Sequence, residues 1–353
     1  MITVIGEVAV SRRYYAGRSC AHKDIPWDRW AGLTSGHLTP QAYHLAVLAG
    51  SSWSFDVASQ RLKQFCGIRL SDQTIREVTD RAGAEAGQWL ANSPEPLDNL
   101  QKAQGNGEFY TDGTCVNTRT GWREMRINIF AVRPTGPSVG PEQWSDRYLP
   151  PTEARLAWAG IHECSALGPQ WRVRADALGW NEGRGLSVLA DGAKWIWNQV
   201  AQHLPASECV VDVFHISEHL HACGRALFGE TSPQAKTWAE QQLNTLIAHG
   251  PMRLFKNLEN SPDPADLTAK HPAIQALIEY LKPNIDGLWY ADRLRRGLPI
   301  GSGMVEGACK NVIGRRMKCN SARWLTERAD HMASLCCLHY SDHWEQFWTR
   351  PAA

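Results

Sequence analysis

Phe109-Tyr110-Thr111-Asp112-Gly113-Thr114-Cys115-Val116 decides how this chain is read. Its aromatic and β-branched residues make a strand. Glu124 to Val132 makes another, and the turn residues Thr118-Arg119-Thr120-Gly121 between them imply a hairpin. An Asp-Gly pair usually marks a turn, because Asp bonds its own backbone and Gly tolerates positive φ. Here Thr114, Val116 and the hairpin carry the strand straight through Asp112. An ionised carboxylate inside a central strand is costly unless something cationic meets it, and a divalent metal ion would serve.

Two further acids fit that requirement. Asp191 closes the apolar run Val188-Leu189-Ala190 and precedes Gly192, so it stands at a strand end; Glu306, in Gly301-Ser302-Gly303-Met304-Val305-Glu306-Gly307, opens a helix. Glu306 borders the helix face of Cys309, Ile313 and Met317, which should pack on the sheet, although a macrodipole contact or a pair with Lys310 would also account for it. Three acids so far apart in the chain describe a site assembled by the fold, with hard oxygen ligands suited to Mg²⁺.

Outward from the hairpin, a Pro- and Gly-rich loop (Pro134 to Pro151) precedes a strand near Trp158 to Ile161. Leu186 to Ala190 is a strand, Lys194 to Gln202 a helix, Glu208 to Phe214 a strand and Ile216 to Leu227 a helix. Strands first and then alternating strands and helices predict a mixed sheet covered by helices. From Pro233 to about Arg296 the pattern is helical throughout (Leu243, Leu246, Ile247; Ile274, Leu277, Ile278), so the second and third acids bracket an all-helical insertion. Upstream, Phe55, Ala58 and Leu62 share a face, Gly67 breaks the run, and Ser71 caps a helix carrying Ile75 and Val78, the helix-turn-helix pattern of many DNA readers. The resulting division is a degenerate ribbon-like segment (1–30), a helical DNA-binding region (31–105), the first part of a catalytic core (106–227), the helical insertion (228–297) and core C-terminal helices carrying Glu306 (298–353).

At 353 residues, 43% hydrophobic and 21% charged, the chain can bury a large core, and the formal charge of +1 leaves a polyanionic partner to be judged from local clusters. One cluster surrounds the third acid: Arg293, Arg295, Arg296, Lys310, Arg315, Arg316, Lys318, Arg323 and Arg328. Beside a metal-binding acid it reads as a phosphate-tracking surface, with Arg295, Arg296, Lys310, Arg315, Arg316, Lys318 and Arg323 as the DNA contacts. The ten cysteines include no C-x-x-C pair and read as reduced thiols, and most of the sixteen tryptophans read as core. No apolar run approaches the roughly 20 residues of a membrane span, so a cytoplasmic, nucleoid-associated protein is expected. A rival motif, His215-Ile216-Ser217-Glu218-His219, matches the H-x-x-E-H spacing of a zinc peptidase.

Four stretches together resemble the ISKra-type bacterial insertion-sequence transposases, DDE enzymes with an RNase H-like fold related to the Mutator-like group. They are Tyr110-Thr111-Asp112-Gly113-Thr114 with Gly121-Trp122-Arg123-Glu124; Ala190-Asp191-Gly192-Ala193-Lys194-Trp195-Ile196-Trp197; Asp212-Val213-Phe214-His215 running to Leu220; and Gly297 through Lys310. The similarity runs from Gly6-Glu7-Val8-Ala9-Val10 to Trp344-Glu345-Gln346-Phe347-Trp348.

The resemblance implies Asp112, Asp191 and Glu306 as the catalytic triad, holding two Mg²⁺ ions with Mn²⁺ as a substitute. Asp212 and His215 form a supporting Asp-x-x-His pair, with Asp212 as the alternative second ligand. Asp191 is preferred because it ends its strand, whereas Asp212 is expected earlier within its own. DNA, as element ends and target, and a homo-oligomer on that DNA are the implied partners. Relatives carry a cysteine pair near Tyr14-Tyr15 and run longer at the front. Here only Cys20 remains after Ala16 and Gly17, which argues against an N-terminal zinc and leaves a decayed or domesticated DNA-binding protein as the alternative to an active enzyme.

Overall fold

The computed structural model describes residues 1–17, 23–33, 37–183, 185–261, 271–319 and 322–350. At the start, Ile2–Thr3 pairs with Gly6–Glu7 and Tyr15–Ala16 with Lys23–Asp24, a minimal ribbon. Cys20 lies outside the described residues.

Three of the helices that follow build this region. In α1 (Pro40–Ser52), Thr39 Oγ1 accepts the Ala42 N–H; α2 (Phe55–Cys66) ends at Gly67, whose φ of +66° suits glycine; in α3 (Asp72–Asn92), Ser71 Oγ accepts the Thr74 N–H. The expected helix, glycine turn and helix are therefore present.

The sheet begins with β1 (Asn106–Thr118), which runs without interruption through Asp112, and β2 (Gly121–Arg133), paired antiparallel from Asn106↔Arg133 to Thr118↔Gly121. β3 (Ala154–Gly160) adds antiparallel to β2. Helix α4 (Leu167–Ala177) buries Trp171, whose indole N–H donates to Asn128 Oδ1 at 2.9 Å. Then come β4 (Leu186–Ala190), α5 (Lys194–His203), β5 (Glu208–Val211) and α6 (Val213–Phe228). β4 is parallel to β1 and β5 parallel to β4, giving the strand order β3-β2-β1-β4-β5 with β2 alone reversed. This is the expected RNase H-like mixed sheet flanked by helices.

The insertion supplies α7 (Pro233–His249), α8 (Pro251–Glu259), α9 (Pro272–Leu281), a 3₁₀ segment (Lys282–Leu288) and α10 (Tyr290–Arg295), with no strand among its described residues. The chain returns through α11 (Gly303–Ala308), a π-helical turn (Cys309–Gly314), the short Arg315–Met317 helix and α12 (Thr326–Tyr340). Helix α12 packs on both β3 and α3. Gly83 permits that approach, because a Cβ there would sit 2.5 Å from the His331 carbonyl oxygen. One continuous apolar core runs from Leu38 to Phe347 and includes the fully buried Trp171 and Trp180.

Candidate active site

The pairing register aligns the strand acids. Tyr110 is level with Leu189, and Ala190 with Val211, so continuing each register by one or two residues sets Asp112, midway along β1, in a row with Asp191 and Asp212 just past the C-terminal ends of β4 and β5. The Asp212 N–H donates to the Ala190 carbonyl at 2.8 Å, which extends the ladder to that row. Strand ends of this kind are where open α/β sheets gather their chemistry.

Asp212 corrects the sequence reading. The strand ends at Val211, not Phe214, and α6 starts at Val213, not Ile216, because Asp212 is a helix N-cap whose Oδ1 accepts the Phe214 N–H at 3.0 Å. Asp212 thus sits at the strand end, just as Asp191 does, and His215 lies within the first turn of the helix. Position along the strand therefore does not separate Asp191 from Asp212. Bonding does separate them: Asp212 is fully buried, and both its oxygens are already engaged. Oδ1 also accepts the Ser302 N–H at 3.1 Å, while Oδ2 accepts the Ser302 hydroxyl at 2.7 Å and faces His215 Nδ1 at 3.3 Å. Asp191 is half-buried, and one of its oxygens accepts the Ala193 N–H at 2.9 Å. A carboxylate serving four protein groups is a clamp.

What Asp212 clamps is the approach to the third acid. Ser302 immediately precedes α11, and the Val213 N–H donates to the Ile300 carbonyl at 3.1 Å, so the Gly301-Ser302-Gly303 segment is stitched to the head of α6. Gly301 is required there, since a Cβ would stand 2.8 Å from the Phe214 ring and 3.3 Å from Asp212 Oδ1. The result is convergence: ligand-capable atoms of Asp212, His215 and Glu306 all lie within 4.8 Å of one another. Glu306 is therefore turned into the site, and among the described residues it makes no ion pair with Lys310. The helix face behind it packs as expected, with Ile313 and Met317 buried.

The electrostatics divide the acids. Burial raises the Asp112 carboxyl above its ordinary range, the Gly113 N–H opposes that at 2.7 Å, and the Asp191 charge adds to the rise. For Asp212, burial also pushes upward, but the bonds from His215 and Ser302 outweigh it and hold the group low. The Asp212 bond raises His215 to about 9, so it is an imidazolium at neutral pH. Sequence reasoning missed Cys309, whose Sγ lies 3.7 Å from Asp112 Oδ2 and whose thiol is pushed to about 12 by burial and then by Asp112. The π-helical turn that begins at Cys309 was also missed; such turns recur at functional sites, and nothing in the local spacing announces one.

The H-x-x-E-H motif does not form a pincer. Among the described residues the metal-competent group containing His215 includes neither Glu218 nor His219, and the His219 ring stacks on Tyr280 with centroids 3.8 Å apart.

The basic cluster separates into two sets. Arg295, Lys310, Arg315, Lys318 and Arg323 are exposed, although Lys318 donates to Thr114 Oγ1 and Arg295 lies 3.7 Å from Asp292. Arg296 pairs with Glu208 at 3.0 Å and Asp292 at 3.1 Å. Arg316 is only 5% exposed; its Nε donates to the Gly50 carbonyl at 2.9 Å, and its guanidinium lies over Phe55 and Trp324. Charge spacing in the sequence could not distinguish Arg316 from its exposed neighbours.

The sequence matches no family model and no curated protein. Among solved structures it is similar to the Drosophila P element transposase strand transfer complex, with 10% sequence identity, a TM-score of 0.40, and coverage of 90% of this chain and 96% of that chain. No helix among the described residues is long and apolar enough to cross a membrane.

Proposed function

We propose that this chain is a DDE transposase that nicks DNA and transfers strands for an insertion sequence, acting as a homo-oligomer on element ends and target DNA. The observation that carries this reading is the meeting of Glu306 with Asp212 and His215 beside the row that Asp112 and Asp191 share with Asp212. The four sequence motifs that resemble ISKra-type enzymes contain every one of these residues.

The donor set suits Mg²⁺ or Mn²⁺, because it consists of carboxylate oxygens at a half-buried strand edge with no thiolate available: Cys309 is held as a thiol. Asp112, Asp191 and Glu306 would hold the metal, and when bound it stabilises the charge on the attacking and leaving oxygens of a phosphodiester displacement. Asp212 positions both His215 and the Glu306 helix. His215, with Nδ1 on Asp212, presents its other ring nitrogen to the scissile phosphate. Exposed Arg295, Lys310, Arg315, Lys318 and Arg323 track the DNA backbone, which fixes its register without reading its bases.

The test uses the purified chain and a supercoiled plasmid carrying the DNA that flanks the gene on both sides. Nicking should require Mg²⁺ or Mn²⁺ and stop with EDTA. Glu306→Gln should slow it about a hundredfold or more while sparing plasmid binding. Wild-type binding without nicking would instead indicate a decayed DNA-binding protein.

A further inference from the structure

A second recess lies among residues the carboxylate site does not use. It encloses about 390 Å³ between the starts of α2 and α3, the tip of the β1–β2 hairpin and the segment leading into α12. That is the volume range of small-ligand sites. Arg76, Arg119, Arg316, Arg323 and Arg328 line it against Asp56, Asp72 and Asp80, and Phe55 and Trp324 supply aromatic faces.

Its charges are only partly used within the chain. Asp80 takes Arg328 at 3.3 Å and His331 at 2.8 Å, whereas among the described residues Arg76, Arg119 and Arg323 form no ion pair and are exposed. Thr79 Oγ1 and Arg316 Nη2, on residues of this wall, are buried behind it, so the charges that face the recess freely are those of Arg76, Arg119 and Arg323. Arg316 itself is fixed, sandwiched with centroid distances of 4.8 Å to Phe55 and 5.2 Å to Trp324. Trp324 is fixed too: its indole donates to the Met317 carbonyl at 3.0 Å, and its backbone bonds Asn117 and Arg119 on the hairpin.

We propose that this recess binds one nucleoside phosphate unit, its base against the Phe55 and Trp324 side and its phosphate on Arg119 and Arg323. Excess cationic charge calls for phosphate, and aromatic faces in the same small volume call for a planar base. The unit is either a free nucleotide or an unpaired nucleotide of a DNA strand; the second source rests on the transposase reading, the first does not. Arg316 lies in the last turn of the helical run whose first turn holds Glu306, so an occupied recess would brace that run from its far end.

The experiment is calorimetric titration of the full chain in EDTA with each deoxynucleoside 5′-monophosphate, with inorganic phosphate, and with a short single-stranded oligonucleotide and its abasic counterpart. A mononucleotide binding at least tenfold more tightly than inorganic phosphate supports the proposal with a free nucleotide as ligand. If only the oligonucleotide binds, and the abasic form is at least tenfold weaker, the unit belongs to a DNA strand. In either case Arg119→Glu and Arg323→Glu, both at exposed positions, should weaken binding about tenfold, whereas Arg253→Glu on α8 should not. Glu306→Gln should leave it unchanged, which separates this result from any loss of nicking. Equal binding of phosphate and nucleotides, equal binding of the intact and abasic strands, or indifference to Arg119→Glu and Arg323→Glu would overturn the proposal.

Discussion

At the scale of single residues, the acids of the site carry opposite energetic signs. Burial favours the neutral form of Asp112, so its folded-state affinity for a proton exceeds that of the unfolded chain. Its contribution is therefore most favourable at low pH and declines as pH rises through the folded value. Asp112→Asn should be neutral or stabilising by up to about 1 kcal/mol in urea unfolding at pH 7, yet should abolish nicking, the signature of a charge kept for function. Asp212 behaves in reverse. Its depressed value makes its stabilisation complete above the ordinary carboxylate range and lost as pH falls through the folded value. Asp212→Ala strands two backbone N–H groups, the Ser302 hydroxyl and His215, and should cost about 3 kcal/mol in the same unfolding experiment. A smaller loss than Asp112→Ala produces would contradict the clamp role.

At the scale of elements, two packing contacts make separate forecasts. Gly83→Val would drive a side chain into the His331 backbone and force α3 away from α12, with a loss of about 1–3 kcal/mol measured by thermal or urea unfolding. Where α12 meets α1, His339 is stacked 3.9 Å from Trp344, faces Ser51 Oγ at 3.2 Å, and is driven down to about 4 by burial and then by His44. Since the unfolded chain binds this proton more readily, the contact is fully stabilising above about pH 6.5 and weakens as pH falls towards 4, by at most about 3 kcal/mol. His339→Phe should flatten the stability profile between those pH values, and an unchanged profile would remove His339 as its source.

These elements also mark what the sequence could convey. The hairpin through Asp112, the β4 strand before Asp191 and the helices around Gly67 were legible because their alternation, glycine positions and caps are local signals. The end of β5 was not, because Val213 and Phe214 continue an apolar run that looks like strand until the Asp212 side chain is seen bonding the Phe214 N–H. The burial of Arg316 depends on Phe55, Trp324 and the Gly50 carbonyl, all remote in the chain, and the contact between Cys309 and Asp112 is likewise tertiary. The strand leading to Asp191 was readable in one dimension, whereas the different bonding of Asp191 and Asp212 depends on which donors each carboxylate meets in the fold.

For the whole molecule, the sheet places three acids in a row and the helical insertion returns the chain so that Glu306 meets Asp212 and His215 at one end of that row. The helices before the sheet share its core, so the assembly should unfold in one cooperative transition. Its central claim is that acids remote in sequence form one divalent-cation site, and Mn²⁺ titration of the purified chain, followed by calorimetry, tests this directly. Wild-type protein should bind Mn²⁺ with a dissociation constant below about 1 mM, and Asp112→Asn, Asp191→Asn and Glu306→Gln should each weaken it about tenfold or more. Mn²⁺ affinity unaltered by Glu306→Gln, in a protein that remains folded, would contradict the account.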